Sequence, residues 1–324
     1  MVLASTRSVK NTLYFGDNLT VLRDHIADES VDLVYLDPPF KSNQDYNAAQ
    51  TKAFSDTWES DAAALASFQE IVDRGGDVSL VMQAFRTALG ANDMLAYLST
   101  MAPRLVELHR VLKPEGSIYL HCDPTASHYL KLLLDAIFGA QNFLNEIIWH
   151  YRKWPSGKYT LQRNHDVLLF YAKSGSRERV FNQQYMARAA STLKRFGTAK
   201  IISGYDDEGA RLPSEMSAEE SEGVRMDDVW DIGRVAPVKQ LYPTQKPLAL
   251  LERIIKTSSN ENQVVLDPFC GSGTSIIVAQ RLDRRWLGID NTDLAIRVVQ
   301  QRLNDSLPDQ QIDYDLAGAL TRDT

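Results

Sequence analysis

The sequence predicts an α/β domain, a Rossmann-like sheet that is mostly parallel with helices on both faces. Three observations carry this. Apolar runs without polar alternation, such as residues 31–36, read as strands buried on both sides. Segments with apolar residues at helical spacing alternate with those runs. One run passes directly into a glycine-rich turn, residues 267–274, that opens a helix.

In chain order, residues 12–15 form a short strand closed by the turn Gly16-Asp17-Asn18, and 19–25 a short helix. The strand 31–36 stops at Asp37-Pro38-Pro39-Phe40, because proline cannot extend a central strand. Residues 41–60 are polar and dotted with aromatics such as Trp58, a long connection expected to be functional or mobile. Helices follow at 61–73, 78–89 and 93–111; in the first, Ala62, Leu65, Phe68 and Ile71 recur at helical spacing. A turn at 113–116 precedes a strand at 117–122 and a helix at 127–138. Strands 143–151 and 167–172 are joined by a basic loop. The segment 173–231 is charged and poor in apolar periodicity, so it reads as an inserted lobe outside the sheet. Helix 248–256, strand 263–267, helix 274–282, strand 285–290 and helix 294–304 complete the alternation, and the tail from Asp305 is expected to be loosely held. The organisation is one domain, 1–324, with a helical insertion at 41–112 and an inserted lobe at about 152–240.

Composition sets limits. The chain is 44% hydrophobic and 24% charged, as in ordinary globular proteins. Two cysteines do not make a disulfide framework or a zinc site, and the six histidines lack metal-ligand spacing. Residues 1–10 carry no apolar leader and no run reaches membrane-spanning length, so the expected location is cytoplasmic. The net charge of −7 hides a polarity. Residues 151–200 hold eleven Lys/Arg against two acids, and 204–231 hold ten acids against two arginines. Phosphate binding needs only a local basic surface.

In the turn Asp267-Pro268-Phe269-Cys270-Gly271-Ser272-Gly273-Thr274 the glycines allow a ligand to approach the backbone, and the helix start presents free N–H groups. Asp290 ends the next strand, nineteen residues after Gly271, at the spacing where an acid holds ribose hydroxyls. An adenosine-containing cofactor follows. NAD fits poorly: the third glycine of its fingerprint falls on Ile276, and Asp267 with Pro268 places a carboxylate and a blocked N–H where a pyrophosphate wants donors. The ammonium and sulfonium of S-adenosylmethionine suit a carboxylate better. A turn that merely joins strand to helix is the plain alternative.

Together the two motifs resemble the β class of DNA amino-methyltransferases, which methylate adenine N6 or cytosine N4 from S-adenosylmethionine. Asp37-Pro38-Pro39-Phe40 matches the catalytic motif and residues 267–274 the cofactor motif. Tyr242-Pro243-Thr244-Gln245-Lys246-Pro247 lies just ahead of the latter, as in that class. The catalytic motif comes first, a circular permutation of the usual methyltransferase order. The resemblance implies that the C-terminal strands sit at the sheet centre, beside the strand that ends in Asp37.

It also implies roles. The Asp37 side chain and the Pro38 carbonyl accept the amino hydrogens of a flipped-out base, Pro39 stiffens the motif, and Phe40 stacks on the base. Asp37, Asp267, Pro268, Phe269, Gly271, Gly273 and Thr274 surround the cofactor. Thr244 and Lys246 hold its carboxylate, Asp290 its ribose, and Asp17 and Asn18 lie near its adenine. The alternatives are an exposed lysine before a helix for Lys246 and a turn or N-cap acid for Asp17. An aspartate heading the catalytic motif favours adenine, with cytosine N4 as the rival. An NAD-linked oxidoreductase and a DNA-binding module with a degenerate cofactor site are the other readings. Basic and aromatic residues interleave in the loop 152–159, so Arg152, Lys153, Trp154, Lys158 and Arg163 are the expected contacts to double-stranded DNA. A solvated loop with a core tryptophan is the alternative there. A homodimer and a companion restriction enzyme follow from resemblance alone.

Overall fold

The computed structural model describes residues 9–39, 62–154, 159–202, 204–210, 212, 214–306 and 312–318, and the backbone of 45–48 and 51–55. Phe40, Trp58 and Lys158 lie outside the described residues. In chain order, β1 (Thr12–Phe15) and α1 (Asn18–His25) lead into β2 (Val31–Leu36). A hairpin of β3 (Asp45–Ala48) and β4 (Thr51–Ser55) occupies part of the expected loop. Then come α2 (Ala62–Arg74), α3 (Gly76–Leu89) and α4 (Asp93–Val111), where the apolar periodicity placed helices. Next are β5 (Leu112–Cys122), α5 (Ser127–Phe138), β6 (Phe143–His150) and β7 (His165–Ala172). A segment of short elements follows: β8 (Tyr185–Met186), α6 (Ala190–Phe196), β9 (Ala199–Ile202), β10 (Glu215–Glu220) and β11 (Val224–Arg225). Last are β12 (Val229–Asp231), α7 (Leu248–Ser258), β13 (Val264–Asp267), α8 (Thr274–Arg281), β14 (Arg285–Asp290), α9 (Asp293–Ser306) and β15 (Asp315–Ala317).

Nine strands form one sheet in the order β12-β6-β7-β5-β2-β13-β14-β1-β15. Every pairing is parallel except those of β7 with β5 and β6. All residues of β2 are buried, as a strand covered on both faces requires. Val34, Leu36, Ile118 and Leu120 face a core shared with α1–α5. Tyr119, on the opposite face of β5, bonds Ser258 of α7 at 2.8 Å. Each fully buried aliphatic side chain contributes roughly 1.5–3 kcal/mol. The one acid inside β2, Asp32, is satisfied by Lys113 Nζ at 2.7 Å and the Val264 N–H at 2.8 Å, so it helps tie β2 to β13.

Three sequence expectations change. The turn at 113–116 lies inside β5 as an irregularity: Val31 pairs with Leu112, then Leu33 with Ser117. Gly116 suits that crowded bend, since a Cβ there would stand 3.0 Å from the Asp32 carbonyl oxygen. Val229–Asp231, expected outside the sheet, extends it parallel to β6. The tail is not loose throughout, because β15 pairs with β1 and Lys10 bridges Asp313 at 3.1 Å and Asp315 at 2.7 Å.

The chain divides into two compact units, Met1–Phe181 with Asp228–Thr324, and Asn182–Asp227. The first holds the whole nine-stranded sheet. The second holds the antiparallel pairs β8–β11 and β9–β10 and the short helix α6. Within it Lys200, counted among the basic residues, pairs with Glu219 at 2.6 Å, so part of the acidic stretch neutralises its own neighbours.

Candidate active site

The parallel register brings three carboxylates to one edge. β2 leads into Asp37, β13 ends in Asp267 and β14 in Asp290, and the three strands are adjacent. A cleft lies there, at the carboxyl ends where open α/β sheets bind ligands. Asp37, Pro38 and Pro39 form one wall; Phe269, Gly271 and Thr274 another; Tyr242, Thr244 and Lys246 a third.

The glycine turn is shaped by its surroundings. Gly271 and Gly273 hold φ of +48° and +70°, in the left-handed region that favours glycine. A Cβ on Gly273 would also lie 2.7 Å from Val299 of α9. The Gly271 N–H donates to Asp290 Oδ2 at 2.9 Å, and Thr292 donates to Oδ1 through its N–H at 2.9 Å and its hydroxyl at 2.7 Å. Arg302, buried in α9, donates to the Ser272 carbonyl at 2.5 Å and to Thr274 Oγ1 at 3.1 Å. The close helix–strand approach that a third glycine usually provides comes from the strand instead. Ile276 packs onto Gly288 of β14, where a Cβ would overlap the Ile276 side chain.

Asp267 is turned into its own turn. It accepts from the Ser275 hydroxyl and, at 3.0 Å, from the Phe269 N–H. Burial pushes its carboxyl up to about 7 against those two donors. Burial likewise raises Asp290 above the usual carboxylate range. Cys270, which lines the cleft, and Cys122, in the core, are both buried with raised thiol pKa values, which makes neither a nucleophile.

Asp37 faces the cleft. Lys246 Nζ stands 2.5 Å from its Oδ2, and His121 Nδ1 is 3.5 Å from its Oδ1. His121 is wholly buried at the end of β5. Its Nδ1 also meets the Tyr35 hydroxyl at 3.0 Å, and its Nε2 meets Asp166 Oδ2 at 3.3 Å. The Tyr151 hydroxyl donates to Asp166 Oδ1 at 2.9 Å. Burial alone would raise Asp166, but His121, Lys246 and Tyr151 hold it below the usual range. Sequence reasoning missed His121, Tyr35 and Tyr151 and gave Asp166 no role at the site. Asn291 and Thr292 also line the cleft unforeseen, although they directly follow Asp290, and so does Tyr242, which opens the 242–247 motif but was given no role of its own.

Other expected residues sit differently. Thr244 lines the cleft with φ of +59°, a conformation that costs a β-branched residue of the order of 1–3 kcal/mol. Asp17 caps α1, accepting from the Thr20 N–H at 3.1 Å, and pairs with Arg104 at 2.6 Å. Asn18 donates to the Pro268 carbonyl at 2.8 Å. Neither lines the cleft; together with Pro268 they brace the glycine turn. The loop between β6 and β7 leaves the same sheet edge, since β6 runs parallel to the central strands. It carries Arg152, Lys153 and Arg163, and its Trp154, Tyr159 and Leu161 are 92%, 92% and 93% exposed. Trp154 is therefore not a core residue, whereas Trp149, near the end of β6, is buried.

The lining charges are the carboxylates Asp37, Asp267 and Asp290 against Lys246. That balance repels a pyrophosphate and suits a cationic ligand that also carries one carboxylate. S-adenosylmethionine, with its sulfonium, ammonium and carboxylate, fits these residues. Among the described residues no acid, histidine or cysteine cluster could hold a metal ion, and no helix is long and apolar enough to cross a membrane.

A family model described as DNA methylase matches residues 31–301. The type II methyltransferase M.EcaI of Enterobacter cloacae is 23% identical over 92% of this chain and 70% of its own length. The DNA adenine methyltransferase YhdJ of Escherichia coli K12 is 26% identical over 90% of this chain and 82% of its own. Other curated relatives are spanned over only 50–60% of their length. A Thermus thermophilus protein described as a DNA modification methylase, complexed with S-adenosyl-L-methionine, superposes with a TM-score of 0.51. It is 19% identical and covers 94% of this chain and 99% of its own, a likeness of fold.

Proposed function

Because the chain belongs to the DNA methylase family, whose members methylate adenine N6 or cytosine N4 from S-adenosylmethionine, we propose that it methylates adenine N6 in DNA. One observation carries the reading. The Asp37 carboxylate, heading the Asp-Pro-Pro-Phe motif, stands in the same cleft as the glycine turn on the neighbouring strand. An aspartate in that place favours adenine by family resemblance, and the E. coli relative aligned over most of the chain is named an adenine methyltransferase.

S-adenosylmethionine, when bound, supplies a methyl group activated by a sulfonium. Gly271 and Phe269 would cradle its methionine part, Asp290 would take the ribose hydroxyls, and Thr244 with Lys246 would receive the carboxylate. The target amino nitrogen is a weak nucleophile because its lone pair is spread into the ring. Asp37 Oδ1 and the Pro38 carbonyl accept its two hydrogens and favour the pyramidal nitrogen that attacks. Methyl transfer would break the carbon–sulfur bond of the sulfonium and leave a neutral thioether, and Asp37 is placed to take the proton that the nitrogen sheds. The rate comes largely from positioning and electrostatics. The base leaves the duplex to reach the cleft, at a cost of a few kcal/mol, on the order of a stacking and pairing loss. Phe40 stacks on it. The exposed Trp154 and Tyr159 contact bases, and Arg152, Lys153, Lys158 and Arg163 contact phosphates.

Tritiated S-adenosylmethionine with duplex DNA, followed by nucleoside analysis, tests this. Label in N6-methyladenosine supports the reading. Label in N4-methylcytosine overturns the base, and no label in DNA overturns the reaction.

A further inference from the structure

We propose that His121, held by Asp166, is a positioning residue that sets the orientation of the Asp37 carboxylate. The inference rests on the reading of Asp37 as the catalytic acceptor. The two prolines after Asp37 fix backbone torsions and leave its own side chain free to turn. Something else must hold the carboxylate in one plane. Lys246 grips Oδ2 at 2.5 Å but reaches it on a long, flexible stem. His121 Nδ1 stands 3.5 Å from Oδ1, on a rigid strand.

The imidazole itself cannot swing. The Tyr35 hydroxyl on Nδ1 and Asp166 on Nε2 fix the ring plane from both ends, and Trp149 packs edge-on at 5.4 Å and 76°. Asp166 is fixed in turn by Tyr151. Strand pairing delivers these groups. β5 and β7 run antiparallel with His121 opposite Leu168, and Trp149 of β6 lies opposite Asp166. A buried histidine that served the core alone would need no ionised carboxylate behind it and no second one in front. The arrangement has the form of an outer partner orienting an inner ligand, whose loss usually costs about 10–100-fold, and a displacement of about 1 Å at a reacting centre can cost about 10²-fold.

The test compares Asp166→Asn in the wild-type and Asp37→Asn backgrounds, by single-turnover tritium transfer to duplex DNA. In the wild-type background kcat should fall about 10–100-fold, with KM for cofactor and DNA within about threefold. In the Asp37→Asn background the same substitution should change the residual rate by less than about threefold, because the residue it positions is already altered. Asp166→Glu should recover part of kcat. Tyr151→Phe, a milder change, covers the case in which Asp166→Asn folds poorly; it should lower kcat about threefold to tenfold with an unchanged urea midpoint. Equal fold-losses in both backgrounds, or losses confined to KM or to the urea midpoint, overturn the proposal. The wild-type control separates this idea from the functional one. Transfer to cytosine overturns the base assignment and leaves the coupling test intact, since the same carboxylate would serve. Absence of transfer to DNA overturns the function and the positioning role together.

Discussion

Two adjacent strands end in the same dipeptide, Asp37-Pro38 after β2 and Asp267-Pro268 at the end of β13, yet the two carboxylates live differently. Asp37 looks into the cleft and is met by Lys246 and His121 side chains from distant parts of the chain. Asp267 looks back into its own turn, is met by Ser275 and the Phe269 N–H, and is pushed up to about 7 by burial. One is arranged for something that arrives; the other holds the shape of the loop. The same two letters therefore face a cleft in one place and brace a loop in the other, and the neighbours decide which.

Substitution should separate them. Asp37→Ala is expected to lower methyl transfer by about 10³-fold or more, with cofactor affinity within about threefold by calorimetry. Loss of cofactor binding in that variant would erase the contrast. Asp267→Ala should do the reverse. It frees two donors and collapses the turn, costing about 2–4 kcal/mol by urea denaturation and weakening cofactor binding. A variant as stable as the parent, and inactive, would mean that Asp267 is chemical after all. Asp290→Ala sits between the two, with an expected loss of about tenfold in cofactor affinity, about 1.4 kcal/mol; unchanged affinity would remove the ribose assignment.

A smaller effect comes from proton linkage. A bound cation favours ionised Asp267, so its pKa falls from about 7 in the complex and a proton is released on binding. Cofactor affinity should then rise with pH up to roughly neutrality and level off above it. Calorimetry at about pH 7 in two buffers of different ionisation enthalpy should detect the release, and a flat affinity from about pH 6 to 8 would contradict it. Least affected of all should be Lys153→Glu. It leaves the chemistry intact and lowers the slope of log affinity against log salt by about one. An unaltered slope would take that loop out of the DNA interface.

How far these features were readable from residues follows their range along the chain. Strand ends, the glycine turn and most helices were legible, because apolar runs, prolines and glycines act locally. Asp37 and Asp267 were recognisable as a pair by motif, but not their different surroundings. The His121–Asp166 contact depends on the antiparallel pairing of β5 with β7, which no local pattern announces. The missing helix glycine at Ile276 is answered from the strand, where Gly288 leaves the space, and no local pattern links the two. Asp17 was open to two readings, and Arg104, on α4, gives it a structural partner. β15 is too short and too exposed to show strand periodicity.

The buried Arg302 adds a consequence in time. Asp37 is made early, but the glycine turn is braced by an arginine some 265 residues later, in α9. At about 5–20 residues per second of synthesis, roughly 15–50 s separate the two. For that interval a nascent chain carries Asp37 without the arginine that braces the glycine turn. The last of the described helices thus finishes the turn, after every strand of the nine-stranded sheet but β15 has been made.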